Sequence, residues 1–293
     1  MNRLILLIMS CFLWAAKTDA HPGVGVVMDS KGNVFYTDLD HVWKISPDGE
    51  LSIAVKNVHT HELYMDENDD LYGEHEWYEG EATDKWGNSV WCLSSTGELE
   101  QAIAPVEGFL SDNTLVRDMK GNTYWPEKSG KREMLKTTKL ANGQISLFTE
   151  HLFRNIRWMY FSKSDKNLYV VDHLKLKRVK PNGEVTVVAD NLKENAPPYA
   201  GVADHHYVYI PWTDSDKNVY VAVYGARKVK KINADGSIKT VFESEKGWSP
   251  CGGMTAPDGS RGIMGFLERD KKRVIKINPD GKLLVGFHAG SST

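Results

Sequence analysis

Cysteine is scarce in this chain: three occur in 293 residues. Cys11 lies in an apolar leader, which leaves Cys92 and Cys251 as the one pair an oxidising compartment would permit to join. The repeat described below puts them in different units, so two free thiols are expected. Charge of one sign is also lacking. A formal net charge of -3 with 26% charged residues gives no basic excess for nucleic acid or for a membrane surface. Beyond residue 20 no apolar run is long enough to span a bilayer, which takes about 20 residues. No Asn-x-Ser/Thr sequon occurs, so nothing calls for N-glycans. The sequence has no Gly-x-Ser-x-Gly elbow, phosphate loop or Cys-x-x-Cys pair, so the common nucleophile, nucleotide and redox signatures are missing. Helical periodicity is missing as well.

What is present begins with 41% hydrophobic residues, nine Trp and twelve Tyr, enough for a packed core and rich in residues that favour strands and ligand platforms. Arg3, the apolar run Leu4 to Ala16 and the small-x-small site Thr18-Asp19-Ala20 predict a secretory signal peptide over residues 1–20. One domain over 21–293, secreted or periplasmic, is then expected.

That domain is repetitive. A turn phrase recurs as Pro47-Asp48-Gly49, Ser95-Thr96-Gly97, Ala141-Asn142-Gly143, Pro181-Asn182-Gly183, Ala234-Asp235-Gly236 and Pro279-Asp280-Gly281, with its glycines 48, 46, 40, 53 and 45 residues apart. Asp-Gly and Asn-Gly predict tight hairpins of type I′. A second turn precedes each one, as in Ser30-Lys31-Gly32-Asn33 and Ser215-Asp216-Lys217-Asn218, followed by a strand such as Val34-Phe35-Tyr36 or Val219-Tyr220-Val221. A basic-apolar strand such as Val229-Lys230-Lys231-Ile232 comes next, and a last strand closes the unit. Four short strands in about 45 residues, repeated six times, describe an all-β, six-bladed β-propeller with four-stranded antiparallel blades.

The phrase x-Asp-x-x-Gly-Asn-Φ-Tyr-Φ followed by Val-x-Lys-Φ-x-x-Asp-Gly resembles the NHL repeat and the related SMP-30 (gluconolactonase-like) propellers, and it covers residues 23–287. The resemblance implies that ligands bind at the channel mouth, where the D-to-A and B-to-C connections lie. It also implies, for the enzymes, a divalent metal held by a Glu, an Asn and an Asp at strand-A entrances. Here Val24, Arg157 and Cys251 stand at those entrances, so that metal set does not carry over. Only Asn113 keeps a matching ligand type.

Other residues collect on the mouth face. His59-x-His61 on an extended segment would point both rings the same way. With His205 and His206, imidazoles suit a divalent transition metal, zinc or copper. His75 could join them from its loop, and His21 would pair an imidazole with an α-amine if cleavage follows Ala20. His41, His151 and His173 read as solvated or hydrogen-bonded. Blade 2 carries about eleven extra residues, Glu74 to Asp84, in which Glu76, Trp77, Tyr78 and Glu79 stand close together. These form either a ligand wall or an acidic hairpin whose aromatics pack on blade 3. Arg157-Trp158 could hold a carboxylate or phosphate, or Arg157 could pair with Glu62, Asp112 or a loop glutamate. Tyr207 and Cys251 complete the set, with a thiolate–imidazole pair between Cys251 and His205 or His206 as a further arrangement. Three functions follow: a module binding a metal or small ligand, a metal-dependent hydrolase of lactonase type, and a protein-interaction scaffold.

Overall fold

The computed structural model describes residues 24–108, 116–120, 122–138, 144–195, 202–267 and 271–288. The leader, His21 and Asn113 lie outside them. Within them, strands β1 (Val26–Met28) to β24 (Leu283–His288) group into six sheets of four consecutive antiparallel strands. This is the six-bladed β-propeller. Cys92 and Cys251 are both free and buried, in blades 2 and 6.

The local chemistry explains the units. At the turn between the first two strands of a blade, an Asp carboxylate accepts the following amides: Asp29 from Lys31 and Asn33, Asp118 from Lys120 and Asn122, Asp214 from Asn218. The Asn side chain then bonds back to the same carboxylate, at 2.6 Å for Asn33 and 2.9 Å for Asn218. In blades 3 to 5 a strand-B tyrosine hydroxyl adds a further bond, from Tyr124, Tyr169 and Tyr220. These bonds close each turn from within, and the blade 1 turn is tied to blade 2 as well, through the Ser30 amide and hydroxyl on Asp69.

The second hairpins differ from type I′. Only the glycine adopts positive φ, as in Gly49 (φ 91) and Gly281 (φ 91). A bond from the Gly49 amide to the Ser46 carbonyl closes the turn. Pro47 stands at its first central position, and a proline ring locks φ near −65°, which excludes the type I′ geometry. The turn is of type I with a left-handed glycine after it.

The extra residues of blade 2 form a hairpin whose connecting turn spans residues 79–85. They lengthen its two strands, β6 (Leu71–Tyr78) and β7 (Trp86–Leu93). Trp77 lies over Gly87, and Tyr78 stacks on its partner Trp86 at 4.2 Å between centroids. These aromatics pack across their own hairpin.

Ring closure uses no exchanged strand. Blade 1 is β1 to β4 (Leu51–Lys56), and blade 6 is β21 (Trp248–Thr255) to β24. The seam therefore rests on packing between β1 and β21. At its centre Gly252 abuts the carbonyl oxygen of Val24, and a Cβ there would come within 2.3 Å of that oxygen. Backbone cannot swing aside as a side chain can. Gly252→Ala is expected to destabilise the protein by ~1–3 kcal/mol, read as a lower urea midpoint with an unchanged m-value.

Candidate functional site

The segment His59-Thr60-His61 runs into β5 (Leu63–Met65) alongside β6. Four hydrogen bonds fix it there. The Glu74 carboxylate accepts the amides of His61 and, at 3.2 Å, Glu62. The Thr60 hydroxyl donates to the Glu74 carbonyl at 2.6 Å. From blade 1, the Thr37 hydroxyl donates to the Thr60 carbonyl at 2.6 Å. An extended segment held this way presents residues 59 and 61 on one side, and the two rings meet edge to face at 4.8 Å.

Opposite them stands Glu76. Glu74 and Glu76 are two apart on β6 and so share a face. Glu74 is committed to backbone amides, whereas Glu76 faces the rings. One ligand atom each from His59, His61 and Glu76 lies within 4.8 Å of the others. The set spans half-buried side chains.

Each imidazole is also oriented from behind. The backbone of Leu39 lies beside the His59 ring and favours its charged form. Leu39 holds the left-handed region at φ 76, with its amide bonded to Thr37 Oγ1 at 3.0 Å. His61 Nδ1 lies 3.5 Å from Glu74 and 3.8 Å from Glu76. A carbonyl or carboxylate behind each ring is the arrangement that sets the tautomer of a metal-binding histidine. Burial, then the neighbouring His61 charge, holds the His59 pKa below its ordinary value, which keeps it a neutral donor. Burial would lower His61 too, but the Glu74 hydrogen bond and the Glu74 and Glu76 charges raise it overall. Burial raises Glu76.

The centre opens on the channel, a cavity of ≈ 800 Å³ lined by residues of all six blades, among them His61, Glu76, Arg157, Trp158, Ile210 and Trp212. Most of the wall beneath His61 is apolar.

The other sequence-selected residues part company. His75 does not ligate: its Nδ1 accepts the His59 amide at 3.0 Å, so it supports the segment from outside. His205 and His206 occupy a short 3-10 turn, Asp204–His206, with their rings tilted against each other at 4.0 Å between centroids. Among the described residues the metal-type cluster contains neither. Tyr207, expected at the ligand, is fully buried. Its ring covers Gly225 and its hydroxyl accepts the Glu194 amide at 3.2 Å. Glu79 and Tyr78 are exposed on the hairpin. His151 accepts from Lys177 Nζ at 2.9 Å, and His173 lies 3.6 Å from Asp204. The sequence puts Glu74 and Glu76 together in the blade 2 insertion, with Glu76 among general ligand residues, but carries no mark that singles out Leu39 or Thr37. The Glu-x-Glu spacing on β6 was the available signal.

No family model matches the sequence, and no curated protein matches it. Solved structures do resemble the fold. A luciferin-regenerating enzyme superposes with a TM-score of 0.59 at 12% identity over 92% of each chain. A gluconolactonase from Xanthomonas campestris gives 0.55 at 10% identity, covering 87% of this chain and 83% of that one. A chain of a nidogen/laminin complex gives 0.52 at 13% identity, over 75% and 80%. The chain has the NHL/SMP-30-like propeller fold.

Within that fold, the propeller's mouth departs from the gluconolactonase-type acidic set. The strand-A residues Val27, Tyr64, Tyr160, Trp212 and Met254 pair with strand-B residues Phe35, Tyr72, Tyr169, Tyr220 and Gly262. Three residues before each stand Val24, His61, Arg157, Tyr209 and Cys251. An aliphatic chain, a guanidinium and a buried thiol cannot stand in for Glu, Asn and Asp as oxygen ligands, so that metal site does not fit these residues.

Cys251 is wholly buried, and burial pushes its thiol up to about 12; burial raises Cys92 as well. Neither is a nucleophile in this state. Ellman's reagent should leave both unreacted in the native protein and titrate both in 6 M guanidinium, and prompt reaction of the native protein would contradict this placement.

Proposed function

We propose that this protein binds a divalent transition metal, zinc or copper, at the mouth of its channel, and that the metal receives a small ligand entering the ≈ 800 Å³ cavity. The observation that carries this is the convergence of His59, His61 and Glu76 within 4.8 Å, with each ring oriented from behind. Two imidazoles and one carboxylate are a ligand set used by catalytic zinc sites, which keep a coordination position open. The open position also supports a second reading, metal-assisted hydrolysis by bound water. The leader over residues 1–20 supports action outside the cytoplasm.

Metal binding is testable on the purified, untagged protein. Zinc at 100 times its dissociation constant should stabilise the fold by ~2.7 kcal/mol, visible as a raised melting temperature that a chelator reverses. His61→Ala and Glu76→Gln should each weaken zinc by more than the ~10–100-fold typical of losing a supporting bond, while His205→Ala leaves it unchanged. Equal zinc affinity in wild type and His61→Ala would sink the assignment.

A further inference from the structure

A buried ion pair at the mouth joins blades 3 and 4. His151 stands near the end of β12 (Ile145–Phe153), the last strand of blade 3. Lys177 is on β15 (Lys175–Val179), the third strand of blade 4, and Asp172 ends β14 (Leu168–Asp172), the second. The Lys177 ammonium donates to Asp172 Oδ2 at 2.6 Å and lies 2.9 Å from His151 Nε2. The Phe153 ring faces it at 5.2 Å, and His151 meets the same ring edge to face at 4.8 Å. Only 10% of the Lys177 side chain and 3% of Asp172 reach the surface.

This geometry sets the charge state of His151. An ammonium has three protons to donate and no lone pair to accept with. Asp172 keeps the proton on Lys177, so the facing Nε2 is the bare nitrogen of a neutral ring, and Nδ1 carries the ring's proton. A protonated ring would set N–H against N–H and one positive charge against another at 2.9 Å. Arg132, at the start of β11 (Arg132–Thr138), adds a further positive charge, and Asp172 opposes both. Glu133, opposite Phe153, is committed to the Ile156 amide. Burial, then the Lys177 charge, holds the His151 pKa below its ordinary value.

The contact is tied to the channel through Asp172. Its Oδ1 accepts the amides of Arg154 and Asn155 at 2.8 Å each. Those residues lead into β13 (Ile156–Phe161), whose pairing with β14 steps from Ile156↔Asp172 to Trp158↔Val171. The extra residue of this bulge is Arg157, and the bulge turns it to the cavity wall beside Trp158. The ion pair that anchors Asp172 therefore anchors the blade 4 entrance as well.

We propose that this contact is a pH-sensitive latch: protonation of His151 displaces the Lys177 ammonium and loosens the blade 4 entrance while the rest of the ring stays closed. The latch does not rest on the metal reading. Its sign follows from the lowered pKa. The opened segment takes up a proton near the ordinary histidine value of ~6.5, and the closed one does so only at lower pH. The closed form is therefore fully favoured above that value and loses ground as the pH falls below it. Each unit by which closure lowers the pKa adds up to about tenfold to the opening equilibrium.

The test compares the full chain at about pH 7.5 and about pH 5.5, either side of the ordinary histidine value, by hydrogen exchange corrected for the intrinsic rate. Wild type should lose protection at the Arg154 and Asn155 amides at the lower pH, while the strand amides of blade 1 keep theirs. His151→Gln offers Lys177 an acceptor that does not titrate, so its protection at those two amides should be equal at both pH values. His205→Gln should respond as wild type does. Nitrogen chemical shifts of the His151 ring in wild type check the premise without a substitution: at the higher pH Nε2 should be bare and Nδ1 protonated. They decide alone if circular dichroism shows His151→Gln unfolded. The proposal is wrong if Nε2 carries a proton there, or if the ring titrates at or above its ordinary value. It is equally wrong if protection at Arg154 and Asn155 does not change with pH, or if folded His151→Gln loses it as wild type does. Loss of protection in all blades together would also overturn it, because that is unfolding of the whole ring.

Discussion

The mouth of this propeller depends on how one carboxylate is used. Glu74 ends the inner part of a strand-B ladder and accepts the amides that lead into the neighbouring strand A. Asp172 does the same in blade 4, accepting from Arg154 and Asn155 at 2.8 Å each. Entrance amides have no ladder partner of their own, and a buried amide left unpaired costs about 1–3 kcal/mol. An acceptor at this position is therefore a structural requirement. Once Glu74 meets it, the backbone at residues 59–61 has one conformation, and its alternation sends both imidazoles toward the channel. Glu76 is then left to face them.

The same device in blade 4 leads elsewhere. Asp172 is paired there with Lys177, whose ammonium lies 2.6 Å away and also meets His151. That cluster joins blades 3 and 4 with its charges compensated, so it holds the ring together and presents no open ligand position. Blade 2 has no lysine at the corresponding place, and its carboxylates face histidines. One fold device thus yields a latch in one blade and a candidate ligand cluster in another, through the identity of the neighbouring side chain.

Leu39 shows the cost of the arrangement. A leucine at positive φ is disfavoured by ~1–2 kcal/mol, and this one is held by the Thr37 hydroxyl in the connection that crosses from blade 1 to the His59 ring. The candidate site therefore spans two blades. Its two ends are tied by Thr37, which bonds to both Leu39 and Thr60.

The sequence alone determined the repeat. Its turn phrases carry Asp, Asn and Gly at fixed offsets, and each works through bonds within about four residues, such as Asp29 with Asn33. Local chemistry of that kind is written in local sequence. The His-x-His pair was legible for the same reason, since alternation on an extended segment is a property of the segment. The rest depended on tertiary structure. His205 and His206 read as equal candidates until a 3-10 turn placed them apart from His59 and His61, and Tyr207 read as a ligand residue until the blade buried it beneath Gly225. The longer blade 2 read equally as a ligand wall or as an acidic hairpin, and cross-strand pairing decides for a hairpin. Which strand-A entrances share a depth, and which side chain a bulge turns inward, are set by register between strands about ten to twenty residues apart. No single strand encodes that register. It appears only when the ring has closed.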